Sequence, residues 1–325
     1  MRAEELRGKA RQAIASRLQA LESDNPAQSI SEIIKGLRAV QAEGMRKNVY
    51  ADSGYMDRLL FYEELVRLRE SGELGIVTGL KTFDNEGLGW RKGELAVILG
   101  PTGCGKSWLI TYFAAQAYNA GKRVLFISPE MTTNETMFRF EPIYATLINN
   151  KSMLSNKALS TGTYDLKKYD AFLKYAYGKN NRSDLSVVDA SEAGRQLSYE
   201  EIWNLALEFT PDVLVIDGLH LLSGGGRETK GWEVLKEGVE YLKALAQQQN
   251  IVVLAAHQPD RSAQKAGSTP PLLHQIGYGF SVAQSANRVI SLGFVEGDGK
   301  KRCFIVPKMR GFEEIYHQRY LNWDV

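Results

Sequence analysis

The sequence predicts an α/β domain built around a mostly parallel sheet, with a short helical region ahead of it. Three observations predict this. From Gly75 onward, short apolar runs of strand length alternate with longer stretches of helical periodicity, which is the pattern of βαβ units. One of those runs, Leu95 to Leu99, leads without a break into Gly100-Pro101-Thr102-Gly103-Cys104-Gly105-Lys106-Ser107, a G-x-x-x-x-G-K-S phosphate cradle that belongs between a buried strand and the first turn of a helix. The last two strand-like runs, Arg302 to Pro307 and Ile315 to Leu321, flank a turn near Gly311 and close the chain as a β-hairpin.

Residues 1 to 74 are expected to form an N-terminal helical and linker region. The first 22 residues are charged and helix-prone, and Asn25-Pro26 ends them. Ser29 and Glu32 have capping-box spacing ahead of Ile33, Ile34, Leu37 and Val40 at helical intervals. A third helix is expected over 56–70, carrying Leu59, Leu60, Leu65 and Leu68 and stopping at Ser71-Gly72. These helices are either a solvated tail or packed on the domain of 75–325 or on a neighbouring subunit. Within 75–325 the expected strands are Leu95 to Leu99, Val124 to Ile127, Leu185 to Val188, Val213 to Ile216 and Ile251 to Ala255. The expected helices are Lys106 to Ala120, Tyr199 to Phe209 and Trp232 to Gln249.

Composition bounds the setting. At 325 residues and 44% hydrophobic content the chain can bury a large core. The two cysteines, Cys104 and Cys303, provide neither a disulfide framework nor a Cys-based zinc site, and the opening charged stretch holds no apolar targeting segment. A cytoplasmic protein with no membrane association is expected. A net charge of +2 creates no strong global field for nucleic acid, so any such contact must come from local basic residues, multiplied by oligomerisation.

The chemistry-bearing residues follow the strands. Glycines at 100, 103 and 105 let backbone N–H groups converge on a triphosphate, Lys106 places a point charge at its β and γ phosphates, and the Ser107 hydroxyl suits Mg²⁺. Cys104 occupies a free position of the motif as a small filler. Val213-Leu214-Val215-Ile216-Asp217 is an apolar strand ending in a carboxylate, where a metal-associated acid belongs. Glu130 follows another strand in Ser128-Pro129-Glu130 and suits a general base, although a solvated loop acid fits the same place. His257, after Ile251 to Ala255, is open between a phosphate sensor and a structural histidine. Lys308 and Arg310 share one face of an extended segment beside Gly311. They are either solubilising charges or an arginine finger for a neighbour's nucleotide.

In this order, the cradle, Ser128-Pro129-Glu130-Met131, Ile216-Asp217-Gly218-Leu219, Ala256-His257-Gln258 and Lys308-Met309-Arg310-Gly311 resemble the RecA-fold hexameric helicases. The resemblance is to the DnaB-like replicative helicases and the helicase half of phage primase-helicases, and it covers Gly75 to Val325. It implies a RecA-like core in which Glu130 is the catalytic base, Asp217 the acid that meets Mg²⁺ through water, His257 the phosphate sensor, and Lys308 with Arg310 a pair acting on the next subunit. It also implies an ATP-dependent (or other nucleoside triphosphate-dependent) DNA helicase of replication, translocating on single-stranded DNA as a hexameric ring. A RecA- or RadA-like recombinase and a regulatory P-loop ATPase are the alternatives. The stretch His274 to Phe280 has no Arg where the family commonly carries an Arg-containing DNA loop. Arg227, Lys230, Arg261 and Lys265 on two other loops are then the candidate DNA contacts, with Tyr278 or Phe280 able to stack on bases. With neither a primase nor a large N-terminal domain in this sequence, a separate primase or loader is an expected partner.

Overall fold

A computed structural model describes residues 55–149, 154–178, 184–190, 196–224, 231–259, 270–275 and 280–322, with a few isolated positions nearer the N-terminus. The two helices expected before residue 55 lie outside the described residues, as do Arg227, Lys230, Arg261, Lys265, Tyr278 and the side chain of Phe280. Contacts divide the chain into Met1–Arg67 and Leu68–Val325. Helix α1 (Tyr55–Glu70) runs across that division and buries none of its residues.

The second unit is organised by one sheet of eight strands. In chain order its elements are α2 (Lys81–Asp84), β1 (Leu95–Leu99), α3 (Lys106–Asn119), β2 (Val124–Ser128), α4 (Thr133–Asn149), α5 (Asn156–Ser160), α6 (Leu166–Tyr177), β3 (Leu185–Asp189) and α7 (Tyr199–Phe209). They continue with β4 (Val213–Asp217), α8 (Gly231–Gln249), β5 (Val252–His257), α9 (Phe280–Ser285), β6 (Arg288–Val295), β7 (Asp298–Met309) and β8 (Ile315–Asn322). The strand order is β3-β2-β4-β5-β1-β6-β7-β8. From β3 to β6 every pairing is parallel, whereas β6, β7 and β8 pair antiparallel, so the expected closing hairpin extends the parallel sheet.

The central strands are apolar along their whole length because both faces of the sheet are covered. The alternation of side chains divides them between two cores. Ala96, Ile98, Val124, Phe126, Val213 and Val215 pack with α3, α4 and α6, while Leu95, Val97, Leu125, Ile127, Leu214 and Ile216 pack with α7 and α8. Two features of this unit escape a reading by periodicity. Helix α4 holds Pro142 in its interior, a residue that ordinarily signals a break. Strand β6 opens on a charged residue, Arg288, which is fully inside. Arg288 is tolerated because Glu94 accepts from its Nε at 3.1 Å and the carbonyls of Leu88 and Gly89 accept from its guanidinium, with the rings of Phe83 and Trp90 about it.

Candidate nucleotide site

Parallel register brings the loops that follow β1, β2, β4 and β5 to one end of the sheet. Leu99 pairs with His257, Asp217 with Ala256, and Ile127 with Ile216, so these strands finish nearly level. The order β2-β4-β5-β1 also places two strands between β1 and β2, and the resulting crevice lies outside the carboxyl ends, where ligands of open α/β sheets bind. A cavity of about 290 Å³ occupies it, lined by Thr102, Gly103, Lys106 and Ser107 from the cradle, Glu130, Arg139, Asp217, His220, His257 and Gln258.

The cradle is held by backbone conformations that require glycine. Gly103 and Gly105 have φ of 77° and 100°, and a Cβ on Gly100 would lie 2.6 Å from Cys104 Sγ and 2.9 Å from Leu292 O. Cys104 is accordingly a buried packing residue, and burial pushes its thiol pKa up. Gly105 caps the N-terminus of α3, whose first residue is Lys106. The Lys106 ammonium donates to Pro101 O at 2.9 Å. Burial lowers its pKa from the usual ammonium range, while the charges of Asp217 and Glu130 act in the opposite sense.

The acidic side of the cavity has unused bonding capacity. Ser107 Oγ donates to Asp217 Oδ1 at 3.1 Å, whereas Asp217 Oδ2 is buried without a protein partner. Burial raises the Asp217 pKa, with Ser107 and the charges of Arg139 and Lys106 opposing the rise. A buried carboxylate with one orphaned oxygen beside a hydroxyl is the hard-oxygen pair expected for Mg²⁺, which keeps waters and takes its remaining ligands from phosphate. The residues present therefore fit that ion. Among the described residues no group of three His, Cys, Asp or Glu could hold a metal through protein ligands alone.

Glu130 stands in a loop fixed from below. Ser128 Oγ donates to Met131 O at 2.8 Å, Thr136 Oγ1 donates to Ser128 Oγ at 3.1 Å, and Asp189 Oδ2 accepts from both the Thr133 N–H and its hydroxyl. His257 is 5% exposed, with Nδ1 lacking a partner, and burial holds it neutral with a pKa lowered to about 4. The neighbouring Gln258 is the residue that reaches the cradle, its Oε1 accepting from the Thr102 hydroxyl at 3.4 Å.

Two lining residues escape a motif reading. Arg139 sits with its guanidinium carbon 5.5 Å from the Trp108 ring centroid, and His220 lies with its ring 6.3 Å from that of His257. Arg139 lies in α4, which starts three residues after Glu130, so its place beside the cavity becomes a signal only once α4 is known to be a helix.

Lys308 and Arg310 are not in this cavity. Strand β6 runs parallel to β1 and β7 runs back against it, Met309 pairing with Arg288 and Arg288 with Ala96, so both cations lie at the amino ends of the parallel strands. The other end of β7 reaches the cradle, where Arg302 Nε donates to Cys104 O at 2.9 Å. From Arg302 to Arg310 the strand covers roughly 25 Å at about 3.3 Å per residue, which separates Arg310 from the cavity of its own chain.

Residues 75–302 match the family described as the DnaB-like helicase C terminal domain. The chain belongs to this family. Among its relatives is the replicative DNA helicase DnaB of Mycoplasma pneumoniae, 26% identical over 262 residues that make up 74% of this chain and 53% of that protein. The DnaB of Rickettsia prowazekii is also 26% identical, over 67% of this chain and 45% of its own length. The chain thus spans about half the length of the curated relatives it matches. The fold is that of solved DnaB-like proteins. One is a DnaB-like replicative helicase studied with its interactions with primase, at TM-score 0.67 and 18% identity over 99% of this chain and 75% of that one. Another similar solved structure is an ATPase domain, at TM-score 0.67 and 18% identity over 85% of this chain and 96% of that one. The likeness to these structures agrees with the α/β fold expected from the sequence.

Proposed function

We propose that this chain is the motor of a replicative DNA helicase, hydrolysing ATP or another nucleoside triphosphate to move along single-stranded DNA as a ring, with six subunits expected. The observation that carries it is the split between the two ends of the sheet. Cradle, acid and base converge on one cavity, while the basic pair Lys308 and Arg310 stands at the far end, apart from the cavity of its own chain.

In this reading the cradle N–H groups and Lys106 bind the β and γ phosphates; Ser107, and Asp217 through water, would hold Mg²⁺, which would supply charge neutralisation at the phosphates. Glu130 orients and polarises the attacking water, and the fixed loop beneath it preserves that geometry. Gln258 and His257 report the γ phosphate to the loops after β5, and Arg310 stabilises transition-state charge in the adjacent subunit's cavity. Arg227, Lys230, Arg261 and Lys265 remain the proposed DNA contacts. A separate primase is the proposed partner, in keeping with the primase interactions named for the DnaB-like structural neighbour, and the cytoplasm is the proposed location. The motor domain proposed is 75–325, preceded by the helical region 1–74.

Unwinding of a forked duplex, with imaging in a non-hydrolysable nucleotide and single-stranded DNA, tests this. Closed rings and nucleotide-dependent strand separation are expected. Filaments with strand exchange, or hydrolysis without unwinding, would overturn it.

A further inference from the structure

The amino end of the sheet carries a junction that the motifs do not announce. Asn287, between α9 and β6, joins four segments of the chain. Its N–H donates to Leu95 O at 2.8 Å and its Oδ1 accepts from Leu95 N at 3.0 Å, clamping it to the first residue of β1. The same Oδ1 accepts from Lys243 Nζ of α8, which also donates to Gly93 O at 2.9 Å. Finally, the Asn287 carbonyl accepts the backbone N–H of Arg310 at 2.8 Å, and nearby Lys308 Nζ donates to Gln284 O at 2.8 Å.

We propose that Asn287, oriented by Lys243, is a positioning residue that fixes the end of β7 and the turn after it, which carry Lys308 and Arg310, for action on the neighbouring subunit. The inference rests on the reading of Arg310 as a residue acting across the interface. Arg310 is exposed and lies in a short turn, which by itself would leave its side-chain base free to wander. The Arg310 N–H bond continues the β6–β7 ladder beyond the Met309–Arg288 pair into that turn, and its acceptor is held by a side chain locked on β1 and α8. Charge adds direction. Arg310 and Lys243 repel one another, and both press on Lys308, opposed there by Glu314. Glu94, the nearby buried acid, is occupied by Arg288 and by the Arg91 N–H. Three cations thus gather at this end of the sheet, with Arg310 exposed, and an incoming phosphate from another chain is a matching counter-charge.

The test is steady-state nucleotide hydrolysis by Asn287→Ala in the assembled protein. A displacement of about 1 Å at a positioned group costs on the order of a hundredfold, so kcat should fall by about that factor with KM within about twofold. Asn287→Asp, which keeps both acceptor roles, should recover most of the loss. Because Asn287 also touches β1 of its own chain, mixing decides between its two possible clients. Asn287→Ala subunits mixed with Lys106→Ala subunits should regain activity, since some interfaces then pair an intact cradle with an intact finger. The control mixes Arg310→Ala with Lys106→Ala. If the control recovers and the Asn287→Ala mixture does not, Asn287 serves its own cradle and the proposal is overturned. If the control itself fails despite co-assembly, the trans role of Arg310 falls and the proposal with it. Should Asn287→Ala not assemble, Lys243→Met leaves the Asn287 backbone bonds in place and carries the same mixing test, with the same outcomes deciding.

Discussion

The two ends of the sheet solve opposite problems with the same strands. At the carboxyl ends, burial works against the charges it encloses: Asp217 keeps an orphaned oxygen, His257 is held neutral, and Lys106 is pushed toward its neutral form. At the amino ends the buried charge is satisfied internally, Arg288 and Glu94 forming an ion pair with side-chain exposures of 2% and 9%, and Arg310 is exposed. One end is incomplete without a ligand. The other satisfies its buried charge within the chain. Strand β7 connects the two, with Arg302 at the cradle and Arg310 at the far turn, so in the proposed ring each subunit would contribute to two nucleotide sites.

The largest effect should come from the end that needs a ligand. Lys106→Ala removes the ammonium from the cavity and should abolish hydrolysis, measured as phosphate release against wild type. Near-normal turnover in that variant would mean the cavity is not the nucleotide site and would erase the contrast between the ends. Arg310→Ala comes next. It should lower turnover on the order of a thousandfold, the lower part of the range for arginine fingers, while nucleotide binding by the same protein stays largely intact. Joint loss of binding and turnover would assign Arg310 a structural role instead.

How much of this was legible beforehand varied with how local the cause was. The cradle, Glu130, Asp217 and the hairpin rest on consecutive residues, and β1, β4 and β5 stand out because strands covered on both faces are apolar throughout. Strand β6 was hidden because Arg288 is buried by a partner almost two hundred residues away in sequence, a fact no window contains. The polar start of β7, Asp298 to Lys301, is exposed at the rim of the sheet and has no apolar alternation to reveal it. Gln258 and His257 are adjacent in sequence, yet only packing shows that the imidazole is enclosed and the amide reaches Thr102. Asn287 is the extreme case, since its role depends on four segments meeting.

Stability should separate the two ends more finely. Glu94→Ala leaves the Arg288 guanidinium buried without its counter-charge and should cost about 3–5 kcal/mol, read as a fall in the denaturant midpoint. Asp217→Asn should move the other way or leave the midpoint unchanged, because it removes a carboxylate whose charge is penalised by burial, although it weakens the site. If both variants lost stability equally, the carboxyl end would be no more strained than the amino end, and the contrast would be one of shape alone.

The smallest effect concerns His257 and is specific to the carboxyl end. Its imidazole is enclosed beside His220 and Lys106, and the lowered pKa of about 4 comes first from burial and then from those two neighbours. An unfolded chain takes up this proton near pH 6.5, whereas the folded chain does so only near pH 4. Between those values the unfolded state binds more protons, so folding stability falls as pH drops from about 6.5 to about 4, and the loss levels off below that. At roughly 1.4 kcal/mol per pH unit, the share due to His257 between pH 6.5 and 5 is about 2 kcal/mol. His257→Gln cannot titrate and should lose correspondingly less stability over the same interval. His220 and Asp217 are present in both proteins, so their own contributions largely cancel in the comparison. Thermal unfolding of both proteins at pH 6.5 and pH 5 is the measurement. Parallel losses would show that the His257 imidazole reaches solvent, and the buried, ligand-awaiting character assigned to this end would then rest on Asp217 alone.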